Sequence, residues 1–254
     1  KNVHLAAGWL RQLEKRLHRL EPQAGFRLFV TIEQGSVHVV PSSLLMNSQV
    51  VVAEPASGLK ASLARSLTNI SPERMSKQPT ERARLHVLLA WFHGVVLGRL
   101  RYSPQGWTKG YEFSETDLSS ALDTVDSFLD KAADGRSNIA PDKIPWAALK
   151  ELVCTACYGG RVDNDFDLRA LTALLARLLT ADSFAHAASL TPLLTEGEGR
   201  VCLPESSGAD ALRQWAASLP GEEVPGWLGL AWDADNVRLA QQGEGVLKSW
   251  LLLQ

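Results

Sequence analysis

The sequence predicts a chain of two characters: α/β over its first third, mainly α-helical beyond it, and α-rich overall. Two β-rich runs, "FRLFVTI" (26–32) and "QVVVAE" (49–54), both lie before residue 55. From residue 79 the β signal disappears and apolar residues recur at helical spacing. At 254 residues, with 45% hydrophobic and 21% charged residues, the chain can bury a substantial core as one large domain or two small ones.

The first element expected is a helix over "AAGWLRQLEKRLHRL", with Trp9, Leu10, Leu13, Leu17 and Leu20 on one face. In "FRLFVTI", Phe26, Leu28, Val30 and Ile32 alternate with Arg27, Phe29 and Thr31, the period of a strand. "QVVVAE" is too apolar to lie exposed on both faces and reads as a central strand. Pro55 and Gly58 break the pattern before a helix containing Leu59, Leu63 and Leu67. "ERARLHVLLAWFHGVVLGRLRY" sets Leu85, Leu88, Leu89, Phe92, Val95 and Val96 in one stripe, predicting an amphipathic helix.

"SETDLSSALDTVDSFLD" follows, with Ser114 as N-cap, Asp117 three residues on, and an apolar set of Leu118, Ala121, Leu122, Val125, Phe128 and Leu129. Pro145 suits the first turn of "IPWAALKELVCTAC", where a missing N–H leaves no bond unmade. "DFDLRALTALLARLLT" is the next helix. Residues 197–206 predict loop with a short strand, and "DALRQWAASL" and "NVRLAQQGEGVLKSWLLL" two further helices, the second weakened by Gly243 and Gly245. No repeat of fixed period is present.

Composition excludes several function classes. A net charge of −2 offers no surplus of cations to displace counterions, which argues against nucleic acid as a partner. No apolar run reaches the ~20 residues that span a membrane. The N-terminus lacks a secretory signal's charged head and apolar run. Three cysteines make a disulfide framework implausible and suit a reducing compartment. The chain opens on "KNVHLA", without methionine, and closes on "SWLLLQ", so the expectation is a piece of something longer.

The stretch that looks most like chemistry is "YGGRVDNDFD" (158–167). A calcium loop is met by Asp163, Asp165 and Asp167 at its first three ligand positions. It then fails, because Leu168 stands where the glycine belongs and Leu174 where the bidentate glutamate belongs. A phosphate loop should follow a strand and lead to lysine; these glycines follow a helix and no lysine comes after them. A helix–turn–helix corner explains more. Gly159 or Gly160 supplies a left-handed residue ending one helix. Asp163 or Asn164 caps the next, and the acidic cluster faces that helix's positive end.

The remaining candidates have plain explanations. Cys154 and Cys157 form a C-x-x-C, but zinc needs four ligands and Cys202 with scattered histidines is all that remains. One turn apart on a helix, the pair reads as small core hydrophobes. His86 and His93, bracketing a tryptophan, read as core or interface residues. Glu222–Glu223 and Asp233–Asp235 sit in polar stretches and read as solvated surface. There is neither a Gly-x-Ser-x-Gly elbow nor a His-Glu-x-x-His, so no metal or catalytic site is assembled.

Longer strings carry a resemblance. "KNVHLAAGWLRQLEKRL", "ERARLHVLLAWFHGVVLGRLRYSPQGWTKGYEF", "IPWAALKELV" and "YGGRVDNDFDLRALTALLARLL" closely resemble the dynein heavy chain at its sixth AAA+ module. The resemblance is dense to about residue 180, thinner across 181–207, and returns at "LRQWAASLP" and "PGWLGL". Axonemal dyneins share the "GW…YEF" and "YGGRV" landmarks, whereas "GRSNIAPDKIPW" looks more like the cytoplasmic type.

The resemblance implies the later strands of a parallel sheet from a partial AAA+ large subdomain at 1–75, and a helical small subdomain at 76–180. At 181–254 it implies a C-terminal extension with loop, short strand and two helices. An active module ends its third strand in paired Asp-Glu carboxylates; the resemblance places Lys1 and Asn2 there. A lysine and an amide cannot hold magnesium or act as general base. The segment should also begin after the place of a P-loop.

No catalytic, nucleotide or metal site is thus implied here, with ATP and magnesium acting in other modules. Thr31 and Arg161 fall roughly at sensor-like positions, without a γ-phosphate to sense. The implied partners are the fifth and first modules and the C-terminal domain of the same heavy chain. The parent binds microtubules and dynein accessory chains, in the cytoplasm and on the cytoskeleton. The rival readings are a truncated nucleotide-hydrolysing module and a helical scaffold or adaptor.

Overall fold

The computed structural model describes residues 1–52, 56–184, 188–191, 199–204 and 208–252, apart from the Gln34 side chain. Contacts divide the chain into two compact units, Lys1–Pro55 and Ala56–Gln254.

In the first unit a short 3-10 turn, Val3–Ala6, leads into α1, Ala7–Leu17. A 3-10 segment, Gln34–Val39, precedes α2, Ser42–Met46. The Ser43 hydroxyl donates to the Glu14 carboxylate, tying α2 to α1. The two expected strands are not formed among the described residues: 26–32 is irregular, and so are 49–52, while 53 and 54 lie outside the description. The central position expected for "QVVVAE" is corrected by Val50, Val51 and Val52, which are 61%, 77% and 61% exposed.

The physical reason is the want of a partner ladder. An apolar run becomes a strand only when another strand takes its backbone N–H and C=O groups. Thr31 instead gives its carbonyl to the Val3 N–H at 3.0 Å. Of the stripe expected on α1, Leu10 is buried while Trp9 and Leu20 are exposed.

The second unit is helical. It contains α3 (Leu59–Asn69), α4 (Pro72–Ser76), α5 (Glu81–Arg99), α6 (Glu115–Ala133) and α7 (Trp146–Glu151). After these come α8 (Asp165–Leu178), α9 (Ala209–Ser218) and α10 (Ala234–Leu251). The chain continues from α7 into a π-helical stretch, Leu152–Tyr158, and a tight turn, Gly159–Arg161. α3 packs on α5 and α9, and α4 on the same two helices.

α5 is the axis of this unit. One apolar stripe was the expectation; every residue from Leu85 to Val96 is buried. A helix enclosed on all sides loses the polar face that marks a surface helix. α3 supplies Leu59, Leu63 and Leu67, α6 supplies Leu118, Leu122, Val125 and Leu129, and α8 supplies Leu171, Leu175 and Leu178. Burying each such leucine contributes about 1.5–3 kcal/mol. The cysteine pair lies in the π-helical stretch rather than in a regular helix.

The short strand expected within 197–206 is reduced to one antiparallel bridge, Ser189 with Cys202. The Leu190 N–H donates to the Val201 carbonyl at 2.8 Å, and the Leu203 N–H to Ala188 at 2.9 Å. Residues 197, 198, 205 and 206 lie outside the description. No helix is long and apolar enough to cross a membrane among the described residues.

Candidate functional site

The corner at 158–167 is built from four side-chain anchors. Asn164 is the N-cap of α8: its side-chain oxygen accepts from the Phe166 N–H at 2.8 Å and the Asp167 N–H at 3.4 Å. Asp163, the other candidate cap, faces away and pairs with the exposed Lys109 ammonium. Asp167 turns inward, is 5% exposed, and accepts from the Thr108 hydroxyl and the Tyr111 hydroxyl, both at 2.6 Å. The Thr108 N–H adds a bond to the same carboxylate at 3.1 Å.

Arg161 donates through Nε to Asp117 at 3.1 Å, and Asp117 also accepts the Ser114 N–H at 2.7 Å at the start of α6. The three aspartates of the calcium-like pattern therefore do not converge on one point. Burial alone would raise the Asp167 carboxyl, but the Thr108 and Tyr111 donors outweigh it and hold the carboxyl below its ordinary range.

The left-handed glycine expected at this corner is absent. Gly159 has φ −66°, and among the described residues the positive-φ glycines are Gly58, Gly135, Gly199 and Gly229. Gly159 matters for a different reason: a Cβ there would lie 2.5 Å from the Cys154 carbonyl oxygen. The wide π turn brings that carbonyl against the next turn, and only hydrogen fits between them. Gly160 has open space around it.

Buried polar residues of α5 make the second set of joints. Arg82 is fully buried and donates to Asp126 and Asp130 of α6, and its Nη2 to the Gln78 carbonyl at 3.0 Å. His86 bonds Asp126 through Nε2 at 2.8 Å, and Arg74 donates to Asp126 at 2.7 Å. His93 Nδ1 meets the Tyr158 hydroxyl at 3.0 Å, and burial lowers the imidazole's pKa. Arg99 lies over the Trp107 ring at 5.2 Å and donates to Gly106 at 3.1 Å and Leu228 at 2.7 Å. Burial pulls its guanidinium down to about 10, against the opposing pull of the Asp167 carboxylate.

Burial pushes the Cys154 thiol up to about 11 and raises Cys157 also, so both stay protonated at neutral pH. Among the described residues no group of three or more His, Cys, Asp or Glu side chains could hold a metal. Glu223 and Asp235, read from sequence as solvated, are engaged. Glu223 accepts the Leu59 N–H at 2.8 Å and Asp235 accepts the Tyr102 hydroxyl at 2.9 Å.

Lys1, Asn2 and Thr31 belong to the first unit, where the Asn2 N–H donates to the Thr31 hydroxyl at 2.9 Å and both Lys1 and Asn2 are exposed. These three side chains include no carboxylate. Sequence reasoning missed Arg82, Arg99, Asp126 and Glu223. A usable signal existed for the first: Arg82 and His86 stand four apart, hence on one face, at the start of the long apolar run of α5.

Residues 82–234 match the family described as "Dynein heavy chain AAA lid domain". The chain is 47% identical over 252 residues, 99% of its length, to "Dynein heavy chain, cytoplasmic" of Caenorhabditis elegans. The proteins of that name from Drosophila melanogaster and Dictyostelium discoideum are 44% and 42% identical over 100% of this chain. It spans only 5% to 6% of the length of these relatives. Matched over 82–234 by the lid model and along nearly its whole length by these relatives, the chain belongs to the dynein heavy chain family and contains that family's AAA lid domain.

Proposed function

We propose that the chain is the non-catalytic sixth AAA+ module of a cytoplasmic-type dynein heavy chain, comprising the end of the large subdomain and the helical lid. In this reading 1–75 closes the large subdomain, 76–180 forms the small subdomain, and 181–254 extends it. The module closes the ring between the fifth and first modules and passes on rearrangements driven by ATP hydrolysis elsewhere. The parent is a minus-end-directed microtubule motor of the cytoplasm, with ATP and magnesium in its other modules.

The observation that carries this reading is the use to which charge is put. Arg74, Arg82, Arg99, Arg161, Asp117, Asp126 and Asp167 all engage in joints between elements of the helical unit. A block braced in this way moves as a body. The sensor-like Arg161 and Thr31 are likewise engaged by Asp117 and Asn2. Titration calorimetry with ATP and magnesium tests the non-catalytic part. The expected result is no saturable heat; saturable micromolar binding abolished by substitution at Lys1 or Asn2 overturns it.

A further inference from the structure

The C-terminal end of α5 collects contacts from both ends of the helical unit. On one side stands Glu223, on the loop after α9, with its side chain 13% exposed. Its Oε2 accepts the Leu59 N–H at the first residue of α3, and its Oε1 accepts from the Arg101 guanidinium. A carboxylate at this position faces the positive end of α3, which strengthens the contact. On the other side, the Tyr102 hydroxyl donates to Asp235 at 2.9 Å, in the first turn of α10. Arg238 donates to the same oxygen at 3.2 Å and lies over the Tyr102 ring at 5.2 Å.

Between these two contacts Arg99 holds the Leu228 carbonyl at 2.7 Å. Gly98 lets Leu228 close in, since a Cβ there would lie 2.7 Å from its Cδ2. Within 98–102, Gly98 and Arg99 thus meet Leu228 of the 225–228 turn, Tyr102 meets the start of α10, and Arg101 reaches the start of α3 through Glu223.

We propose that residues 98–102, with Glu223 and Asp235, form a clamp that couples the start of α3 mechanically to the start of α10. Gly58 gives the clamp its input. It follows the join between the two units by a few residues, has φ 94°, and would bring a Cβ to 3.2 Å from Glu223 Oε1. Displacement of the chain at 56–58 therefore meets Glu223 first, then Arg101, then the adjoining Tyr102. Force entering at α3 leaves at α10 through these polar contacts. The clamp gives the transmitting role proposed above a route, and rests on that reading for its purpose only.

Hydrogen exchange of the 254-residue chain tests it, read at amides 59–63 and 235–240. Glu223→Gln keeps the acceptor near Leu59 but removes the ion pair with Arg101. It should accelerate exchange at both places, and Asp235→Asn should do the same in reverse, because coupling is reciprocal. A coupling of ordinary size predicts about 5- to 150-fold acceleration at the distant segment. Lys77→Gln, remote from this end of α5, should change neither.

Effects confined to each variant's own end overturn the clamp. Should Glu223→Gln fail to fold, Arg101→Gln carries the same prediction at 235–240. Coupled exchange, with ATP-driven gliding of a heavy chain bearing Glu223→Gln unchanged, supports the clamp and counts against the ring reading alone.

Discussion

Arg82 and Asp126 face each other across the joint between α5 and α6, the guanidinium wholly buried and the carboxylate side chain 17% exposed. His86 and Arg74 converge on the same carboxylate, so one aspartate gathers three donors from two helices. Removing Arg82 takes the wholly buried donor from this joint and from Asp130, and leaves Asp126 with His86 and Arg74 alone. Arg82→Met is expected to cost about 3–5 kcal/mol, the usual loss when a buried pair is broken from one side. Urea denaturation followed by circular dichroism measures it; a loss below about 1 kcal/mol, the range of exposed pairs, contradicts the joint.

The same carboxylate makes stability depend on acid. Burial acts to raise the Asp126 pKa, but the bonds from His86, Arg74 and Arg82 overcome it and hold the group well below its ordinary 3.8. The folded pKa is depressed, so the contribution is complete above the unfolded value and is lost as pH falls through the folded one. The melting temperature should therefore drop steeply below about pH 4. Asp126→Asn should flatten that drop while lowering stability at neutral pH. An unchanged acid limb would show that other carboxylates control it.

At the corner, Asn164 and Asp163 are separable by substitution. Asn164→Ala removes the cap of α8 and is expected to cost about 0.5–2 kcal/mol. Asp163→Ala removes only an exposed pair with Lys109 and should leave the melting temperature within error of the parent. Equal effects would mean that capping is shared.

Neighbouring glycines should differ as sharply. Gly159→Ala drives a methyl to 2.5 Å from a backbone oxygen that cannot swing aside, whereas Gly160→Ala enters open space. The expected loss is about 1–3 kcal/mol for the first, an overpacking cost. For the second the loss should be near zero or slightly reversed, because alanine restricts the unfolded chain. Thermal melts of the two variants decide it, and a tolerated Gly159→Ala would show that the π turn relaxes.

Local patterns were legible wherever the cause was local. The apolar spacing of Leu118, Ala121, Leu122 and Val125 marked the buried face of α6, and Ser114 with Asp117 marked its start. Glu223 illustrates the opposite case. Its partners, Leu59 and Arg101, are 164 and 122 residues away in sequence, and its neighbours are Gly221, Glu222, Val224 and Pro225. The runs at 26–32 and 49–52 fail in another way. Their period is that of strands, but a strand exists only in a ladder, and no partner stands beside them among the described residues.

By itself, the sequence determined α1, α3 and α5 to α10, the corner before α8, and the family, because periodicity, capping residues and long shared strings act over a few residues or along one line of text. Only the tertiary structure decided that α5 is enclosed on every side, that Asn164 rather than Asp163 is the cap, and that Arg82, Arg99 and Glu223 brace distant elements. Burial, and the choice of partner for a buried charge, depend on which surfaces meet after the chain has folded. Apart from the spacing of Arg82 and His86, the neighbouring residues do not record that meeting.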